Sequence, residues 1–259
     1  MSAASIMVRR EGPATIVTLH RPERRNAISR QMMEEIVAAA QAADGDPAVR
    51  ALVVTGGAEY FSAGADLTEA GQVQGADALR YFQGLHRLNA TLEGLAKPVI
   101  AAIEGFCLTG GCELALACDI RVAGAGATFA ITSARIGTMP GAGGTQRLPR
   151  IVGLARALEM LFSAEPIDAD EAFRIGLINR KTEQGGALRL ALDMAAVYAE
   201  RAPLGLAFAK RAVRRGIEMD LASGLDLETF MTTCIYGTAD RHEGISAFLE
   251  KRKARFEGK

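Results

Sequence analysis

Hydrophobic and polar residues follow two alternating patterns along the first two-thirds of the chain. Short runs that are rich in β-branched residues predict strands, at 14–19, 50–55, 98–103, 120–122, 127–130 and 175–178. Between these runs, apolar residues recur at helical spacing and predict helices, at 29–43 with Ser29 as N-cap, 76–95, 150–162 and 168–174. From about Leu188 the pattern is almost entirely helical, over 188–201, 203–216, 221–236 and 239–252. This order predicts an α/β fold with a helical C-terminal region.

The composition argues against several classes of protein. The 259 residues are 49% hydrophobic and 23% charged, which is typical of a globular protein. Lysine and arginine total 30, as do aspartate and glutamate, and 5% of the residues are aromatic, so we expect no nucleic-acid partner. Charged residues interrupt both the N-terminal segment and the most apolar stretch, 98–118. We therefore expect no secretory leader, no membrane span and a cytoplasmic location.

Neither a metal site nor a cysteine nucleophile is indicated. Cys107, Cys112 and Cys118 are spaced by five and six positions, which fits no common zinc pattern. Their apolar neighbours predict buried free thiols. A nucleophilic cysteine requires a histidine partner, and none of the three histidines is close to them in the sequence.

The stretch Ala101–Asp119 combines an apolar strand, a glycine-containing turn and a helix that begins at Gly110–Gly111. Backbone N–H groups at a helix start are unpaired and carry partial positive charge, so they suit a developing oxyanion. Glu113 lies in the first turn of this helix, where a carboxylate is able to transfer a proton. The alternative is that Glu113 only complements the helix dipole.

Three loops follow predicted strands, at Arg21–Ala27, Phe61–Leu67 and Gly105–Glu113. None carries a phosphate-binding or dinucleotide-binding glycine motif. The small residues from Ser62 to Asp66 offer backbone amides to a ligand, and a second amide at Gly110 would complete an oxyanion hole. The alternative is that these glycines only form tight turns.

Five segments in this order resemble the enoyl-CoA hydratase/isomerase (crotonase) superfamily: RPERRNAIS, FSAGADL, KPVIAAIEGFCLTGGCELALACDIRVA, GTMPGAGGTQRLPRIVG and DRHEGISAFLEKRKARF. The resemblance covers almost the whole chain. It implies a crotonase-like spiral of ββα units over residues 1–187, which holds the acyl-CoA site, and a helical region over 188–259 that forms homotrimers or homohexamers.

The resemblance also assigns roles by position. It implies that the Ala65 and Gly110 amides bind the thioester oxygen and that Glu113 is an acid/base. The positions matched to coenzyme A or substrate binding are Arg24, Arg25, Ala27, Ala63, Asp66, Leu67 and Gly141. Coenzyme A is part of the substrate, and no other cofactor is implied. Two alternatives stay open: Asp66 is instead a structural cap, and the basic cluster at 251–255 is instead a solvated helix face.

The sequence departs from this family at one catalytic position. Typical hydratases of the family have a second glutamate twenty residues after the first, and Ser133 occupies that position here. A serine hydroxyl has too high a pKa to act as an ordinary acid or base at pH 7. It is able to orient water or to hold a substrate hydroxyl. The alternative is that Ser133 is only a loop residue with no part in catalysis.

Three functions are therefore compatible with the sequence. The first is an enoyl-CoA hydratase of fatty acid metabolism that uses Glu113, the oxyanion hole and Ser133. The second is an acyl-CoA thioester hydrolase or another enolate reaction. The third is a catalytically weak acyl-CoA-binding scaffold. Five further side chains are assigned to core packing rather than to the acyl pocket: Tyr81, Phe82, Met139, Leu161 and Phe162.

Overall fold

The structure is a computed structural model that describes residues 4–259. This part of the chain forms nine strands: β1 (Ile6–Glu11), β2 (Ala14–Leu19), β3 (Ala51–Thr55), β4 (Val99–Ile103), β5 (Phe106–Leu108), β6 (Ile120–Gly124), β7 (Thr128–Ala130), β8 (Ile167–Asp168) and β9 (Arg180–Thr182). It also forms eleven α-helices: α1 (Arg30–Gly45), α2 (Leu67–Ala70), α3 (Gly75–Gly94), α4 (Gly110–Ala117), α5 (Gly144–Val152), α6 (Leu154–Ser163), α7 (Ala169–Arg174), α8 (Ala187–Ala199), α9 (Pro203–Gly216), α10 (Leu221–Tyr236) and α11 (Ala239–Leu249). Two short 3-10 helices span Pro22–Arg24 and Ser133–Ile136.

Six strands form one sheet in the order β1-β2-β3-β4-β6-β9. Neighbouring strands run parallel, except for the antiparallel hairpin of β1 and β2. A smaller sheet has the order β5-β7-β8. Since parallel strands end at a common edge, the segments that follow β2, β3 and β4 start from the same edge of the large sheet. This edge carries the three loops that the sequence singles out.

The large sheet is covered on both faces. On one face, the small residues Ala187, Ala191 and Ala195 of α8 pack against strand residues such as Val53 and Ile100. The other face joins a larger core with α1, α3 and α4. Strands β3 and β4 are buried at every position, as is typical of parallel strands between two layers of helices.

The strand predicted at 175–178 is wrong. Leu177 and Ile178 are buried, but both of their N–H groups donate to the carbonyl of Ala172 and so close the end of α7. Gly176 permits this turn because its φ is +77°. The strand in this region is β9, whose Arg-Lys-Thr sequence lacks the apolar character on which the prediction depended.

The helix predicted at 150–162 is two helices. The first, α5, begins at Gly144, and Gly153, with a φ of +82°, separates it from α6. The glycine-rich sequence before residue 150 hid the start of α5. Strand β1 was not predicted because five of its six residues are exposed at the sheet edge. Strands β5 and β8 were not predicted because they are only three and two residues long.

Helices α9, α10 and α11 follow α8 as the sequence predicts, and α9 packs against α10. Met231 is the one buried residue of α10. Large apolar side chains stay exposed on this region of the chain: Val213, Ile217, Leu221, Leu225, Phe230 and Phe248. Among residues 4–259, no helix combines the length and the apolar character that crossing a membrane requires.

Candidate active site

Two of the three loops meet through backbone pairing. Ser62 forms a parallel bridge with Cys107, and the Leu108 N–H donates to the Ser62 carbonyl over 2.9 Å. The Ser62 side chain packs so closely on α4 that a methyl group on Gly111 would lie 2.6 Å from its Cβ. The segment 62–65 therefore lies directly against the start of α4.

This packing places two free backbone amides side by side. A methyl group on Gly110 would lie 2.9 Å from the amide nitrogen of Ala65, and one on Gly64 would lie 3.3 Å from the amide nitrogen of Gly110. Within residues 4–259, neither the Ala65 N–H nor the Gly110 N–H has a hydrogen-bond partner. Gly110 is also the first residue of α4, where the helix dipole adds positive potential. Two adjacent, unpaired donors have the arrangement of an oxyanion hole.

A strained residue fixes the start of α4. Thr109 has a φ of +39°, which is unusual for a β-branched residue. Its hydroxyl lies 2.8 Å from that of Thr132 and accepts the Thr132 N–H over 3.0 Å, while its own N–H donates to the Ala130 carbonyl. These bonds hold the strained conformation and also bring the segment after β7 to the N-terminal end of α4.

The remaining loop, Arg21–Ala27, packs against the Phe61–Leu67 loop. The side-chain amide of Asn26 donates to the carbonyls of Gly56 and Phe61, and the Asn26 carbonyl accepts the Ser62 hydroxyl over 2.7 Å. A backbone bridge also joins Ile28 to Ala65. All three loops therefore contribute to the position of the Ala65 amide.

Glu113 is 2% exposed and is held by backbone donors. Its Oε1 accepts the N–H groups of Ala142 and Gly144 at 2.8 and 2.7 Å. Its Oε2 makes no hydrogen bond within residues 4–259 and keeps some contact with solvent. Burial raises the pKa of Glu113 above its ordinary value, although the two backbone bonds and the charge of Arg147 act in the opposite direction. A carboxyl with one anchored oxygen, one free oxygen and a raised pKa is suited to proton transfer.

Ser133 begins the 3-10 helix that follows Thr132 and is buried. Its hydroxyl has no hydrogen-bond partner among residues 4–259. Because Thr132 is bound to Thr109, Ser133 is brought to the same end of α4 as Gly110. The second catalytic position of the predicted site is thus filled by a free hydroxyl and not by a carboxylate.

The chain as a whole is similar to proteins of a known family. Residues 10–259 match the family model for enoyl-CoA hydratase/isomerase. This chain belongs to the enoyl-CoA hydratase/isomerase family. It is 41% identical to 2,3-dehydroadipyl-CoA hydratase of Escherichia coli strain K12, over 99% of this chain and 100% of that protein. It is 37% identical to crotonyl-CoA hydratase of Syntrophomonas wolfei, over 99% of both.

The fold of the family is confirmed by solved structures. A crystal structure of enoyl-CoA hydratase from Bacillus anthracis superposes with a TM-score of 0.94 at 34% identity, over 98% of this chain and 100% of that one. An enoyl-CoA hydratase structure from Geobacillus kaustophilus HTA426 gives a TM-score of 0.93 at 40% identity, over 98% of each chain. The crotonase-like fold expected from the sequence is therefore correct.

A groove of about 280 Å³ opens near the two unpaired amides. Ala63 and Leu108, which are close in the chain to the two free amides, form part of its wall. The remaining lining residues are Arg25, Phe106, Thr128, Ala130, Thr132, Arg135 and Pro166. Arg135 pairs with Glu165 over 2.7 Å, so Arg25 is the arginine of this largely apolar wall that is suited to a negatively charged part of a ligand.

The other residues matched to coenzyme A binding lie outside this groove lining. Arg24 is exposed in the first 3-10 helix, and the Ala27 carbonyl accepts a hydrogen bond from Arg21 over 2.7 Å. Leu67 opens α2 and is 61% exposed. Gly141 lies under an aromatic ring, since a methyl group there would lie 2.4 Å from a ring carbon of Phe82.

Asp66 has structural contacts. Its carboxylate caps α2 by accepting the Thr68 N–H, and it pairs with Arg21 over 2.9 Å. Burial acts to raise the pKa of Asp66, but the bonds from Arg21 and Thr68 outweigh it and hold the pKa below its ordinary value. Of the two roles that the sequence leaves open for Asp66, these contacts support the structural one.

The basic cluster at 251–255 is largely neutralised by nearby carboxylates. Arg252 pairs with Glu243 and Glu250, and Lys253 pairs with Glu200. These ion pairs support the solvated-face interpretation.

The assignment of five apolar side chains to core packing was only partly correct. Tyr81 is buried, and Leu161 is partly buried against the core. The prediction is wrong for Met139 and Phe162, which are 65% and 77% exposed, and for Phe82, which is 37% exposed.

Sequence reasoning missed the residues that hold the loop around Glu113. The Ala142 carbonyl accepts hydrogen bonds from Asn89 and Arg147, and Arg147 pairs with Glu93. Arg147 lies within a segment that resembles the family. Its partner Glu93 precedes it by 54 positions on a helix whose pattern gives no sign of this pairing.

Proposed function

We propose that this protein catalyses the reversible hydration of a 2-enoyl-CoA to a 3-hydroxyacyl-CoA. The observation that carries the proposal is the pair of adjacent, unpaired amides at Ala65 and Gly110. Gly110 starts the short helix that also carries a buried carboxylate, Glu113, with one free oxygen. The printed activities of the Escherichia coli and Syntrophomonas wolfei relatives support the same reaction. Coenzyme A enters as part of the substrate, and the proposal requires no separate cofactor.

The two amides act on the thioester. The carbonyl oxygen of the bound substrate accepts the N–H groups of Ala65 and Gly110. When hydroxide adds to C3, the electron pair of the double bond moves toward the thioester, and negative charge develops on its oxygen. Preformed donors stabilise such a charge by roughly 3 kcal/mol each.

Glu113 transfers the proton. Its ionised Oε2 takes a proton from water as the hydroxyl group adds to C3, while Ala142 and Gly144 keep Oε1 in place. Because Ser133 supplies no carboxylate, Glu113 also returns the proton to C2, which gives syn addition of one water. The Ser133 hydroxyl orients the water or the new 3-hydroxyl group and is not itself the acid or base.

Turnover of crotonyl-CoA tests this proposal. Hydration is followed as the loss of conjugated absorbance, and a thiol reagent detects free coenzyme A in the same sample. We expect absorbance loss without thiol release, and no activity for Glu113→Gln. Thiol release from a saturated acyl-CoA would instead indicate hydrolysis by a water that Glu113 activates, and tight binding of acyl-CoA without any turnover would indicate a scaffold.

We further propose that the protein assembles into trimers, or hexamers made of two trimers, through α9, α10 and α11. The exposed apolar side chains of these helices support this assignment, whereas α8 is already covered by the large sheet. Light scattering after gel filtration is expected to give three or six times the chain mass of 27.4 kDa. A monomer at micromolar concentration would contradict it. A role in cytoplasmic fatty acid metabolism stays part of this proposal.

A further inference from the structure

The Ala142–Gly144 loop, which binds the Glu113 carboxylate, is itself fixed by the side chains of Asn89 and Arg147. The Ala142 N–H donates to Glu113, and the Ala142 carbonyl accepts the side-chain amide of Asn89 over 2.8 Å and the Nη1 of Arg147 over 3.0 Å. The Gly143 backbone approaches the same guanidinium, since a methyl group there would lie 1.9 Å from Arg147 Nη1. Arg147 is therefore in contact with Ala142, one of the two donors to the glutamate, and with Gly143, which lies between the two donors in the chain.

A chain of alternating charges fixes Arg147. Its Nε and Nη2 form a two-pronged pair with Glu93 at 2.8 and 2.6 Å. Glu93 also accepts Arg214 of α9 over 3.0 Å. Arg214 and Lys210 both bind Asp119, each over 2.8 Å at the shortest contact. Bidentate pairs of this kind hold a guanidinium in one plane, so the orientation of Arg147 is set by α3 and, through Glu93, by α9.

We propose that Arg147 is a positioning residue for Glu113, which fixes the Ala142–Gly144 loop and favours the ionised carboxylate that accepts the proton of water. The proposal rests on the proposed function of Glu113. It assigns two separable effects to Arg147: the geometry of the loop, through the bond to Ala142, and the positive charge beside the carboxylate.

The charged groups around Arg147 support the electrostatic effect. Glu93 faces it from α3, Glu113 faces it from α4, and Arg214 of α9 reaches Glu93 but not Glu113. The charge of Arg147 acts to lower the pKa of Glu113 against the effect of burial. Hydrogen bonding to Glu93, followed by the charges of Glu93 and Glu113, raises the pKa of Arg147 itself, so it stays a cation throughout the pH range of an assay.

Three variants separate charge from geometry. Arg147→Gln removes the charge, and Arg147→Lys keeps it but cannot form the two-pronged pair. Arg150→Gln is the matched control, because Arg150 lies on the same helix and pairs with the exposed Glu218 over 2.9 Å. For each variant, kcat and KM for crotonyl-CoA are measured across pH together with the melting temperature.

We expect Arg147→Gln to lower kcat by about 10 to 100-fold, since a misplaced catalytic group has effects of this size. The limb of the kcat–pH profile that reflects ionisation of Glu113 should also move to higher pH by about one unit, because an opposite charge has been removed. Arg147→Lys should lower kcat and leave the limb in place, and Arg150→Gln should match the parent in both. An unchanged limb in Arg147→Gln, with kcat reduced only in proportion to a lower melting temperature, would overturn the proposal.

A second readout does not depend on turnover. The carboxyl resonance of Glu113 in protein labelled with ¹³C-glutamate is assigned by its loss in Glu113→Gln and is titrated in the parent and in Arg147→Gln. We expect the titration midpoint to rise in the variant, and identical midpoints would overturn the electrostatic role. Activity retained by Glu113→Gln would instead refute the proposed function alone, whatever the midpoints.

Discussion

Replacing Gly110 with alanine is expected to remove most of the activity and to leave the fold intact. The added methyl group would lie 2.9 Å from the Ala65 amide nitrogen. This is the distance at which a hydrogen-bonded thioester oxygen has to sit, so the methyl group and the oxygen compete for one place. The φ of Gly110 is not in the left-handed region, and alanine therefore introduces no backbone strain of its own.

The expected size of the effect follows from both amides. Loss of a single oxyanion donor costs about 10² to 10³ in kcat, and here the methyl group denies the substrate access to two. We therefore expect kcat/KM to fall by about 10³-fold or more. Alanine stabilises a helix by roughly 0.5–1 kcal/mol relative to glycine, and the overlap with the Gly64–Ala65 backbone costs about 1–3 kcal/mol. The net loss in the free energy of unfolding is then about 0–2.5 kcal/mol, which is smaller than the roughly 4 kcal/mol of activation free energy that a 10³-fold loss represents.

Initial rates of crotonyl-CoA hydration provide the measurement. Gly45→Ala is the matched control, because a methyl group there meets no atom within 4 Å at the end of α1. The control should keep the parental rate. A Gly110→Ala protein with a normal melting temperature and a rate within about threefold of the parent, a change of less than 1 kcal/mol in activation free energy, would refute the placement of the oxyanion hole.

Three further outcomes are expected. Ser133→Glu should raise the rate of crotonyl-CoA hydration by supplying a second carboxylate; no gain over the parent would mean that the pocket itself limits the reaction. Glu113→Gln should be more stable to heat than the parent at pH 8 and equally stable at pH 4. The raised pKa of buried Glu113 means that the parent loses stability as the pH rises through the folded-state value, so a constant difference at both pH values would contradict this reasoning. Asp66→Ala should lose about 1 kcal/mol of stability in urea unfolding, through the α2 cap, while its affinity for coenzyme A stays within about twofold; a large loss of affinity at normal stability would return Asp66 to the binding site.

The sequence predicted those parts of the fold whose stability is local or strongly periodic. The N-cap of α1 at Ser29, which accepts the Met32 N–H, and the start of α4 at Gly110 agree with the structure. Strand β1 and strand β9 were missed or misplaced because exposed edge strands need no apolar pattern. Both owe their place to pairing with a neighbouring strand, which is a property of the whole sheet and not of the segment.

The candidate site was predictable for the same reason and to the same extent. Glycines at a helix start and a carboxylate in its first turn are local features, so Gly110 and Glu113 were visible in the sequence. The two-pronged pair between Arg147 and Glu93 joins helices α5 and α3, which are far apart in the chain. Its geometry forms only when α3 packs against the loop before α5. Asp66 shows that a position matched to ligand binding by sequence can instead have structural contacts. Its carboxylate is bound by Arg21 and by the Thr68 N–H.

The donors at Ala65 and Gly110 belong to the main chain, and this has a consequence for how the protein can diverge. Every amino acid except proline carries the same N–H group, so no ordinary substitution at either position deletes a donor chemically. Only a change of shape, such as a side chain at Gly110, closes the site. The proposed oxyanion hole is therefore inherited with the backbone, while side chains of the proposed site, such as that of Ser133, are free to vary between descendants of this chain.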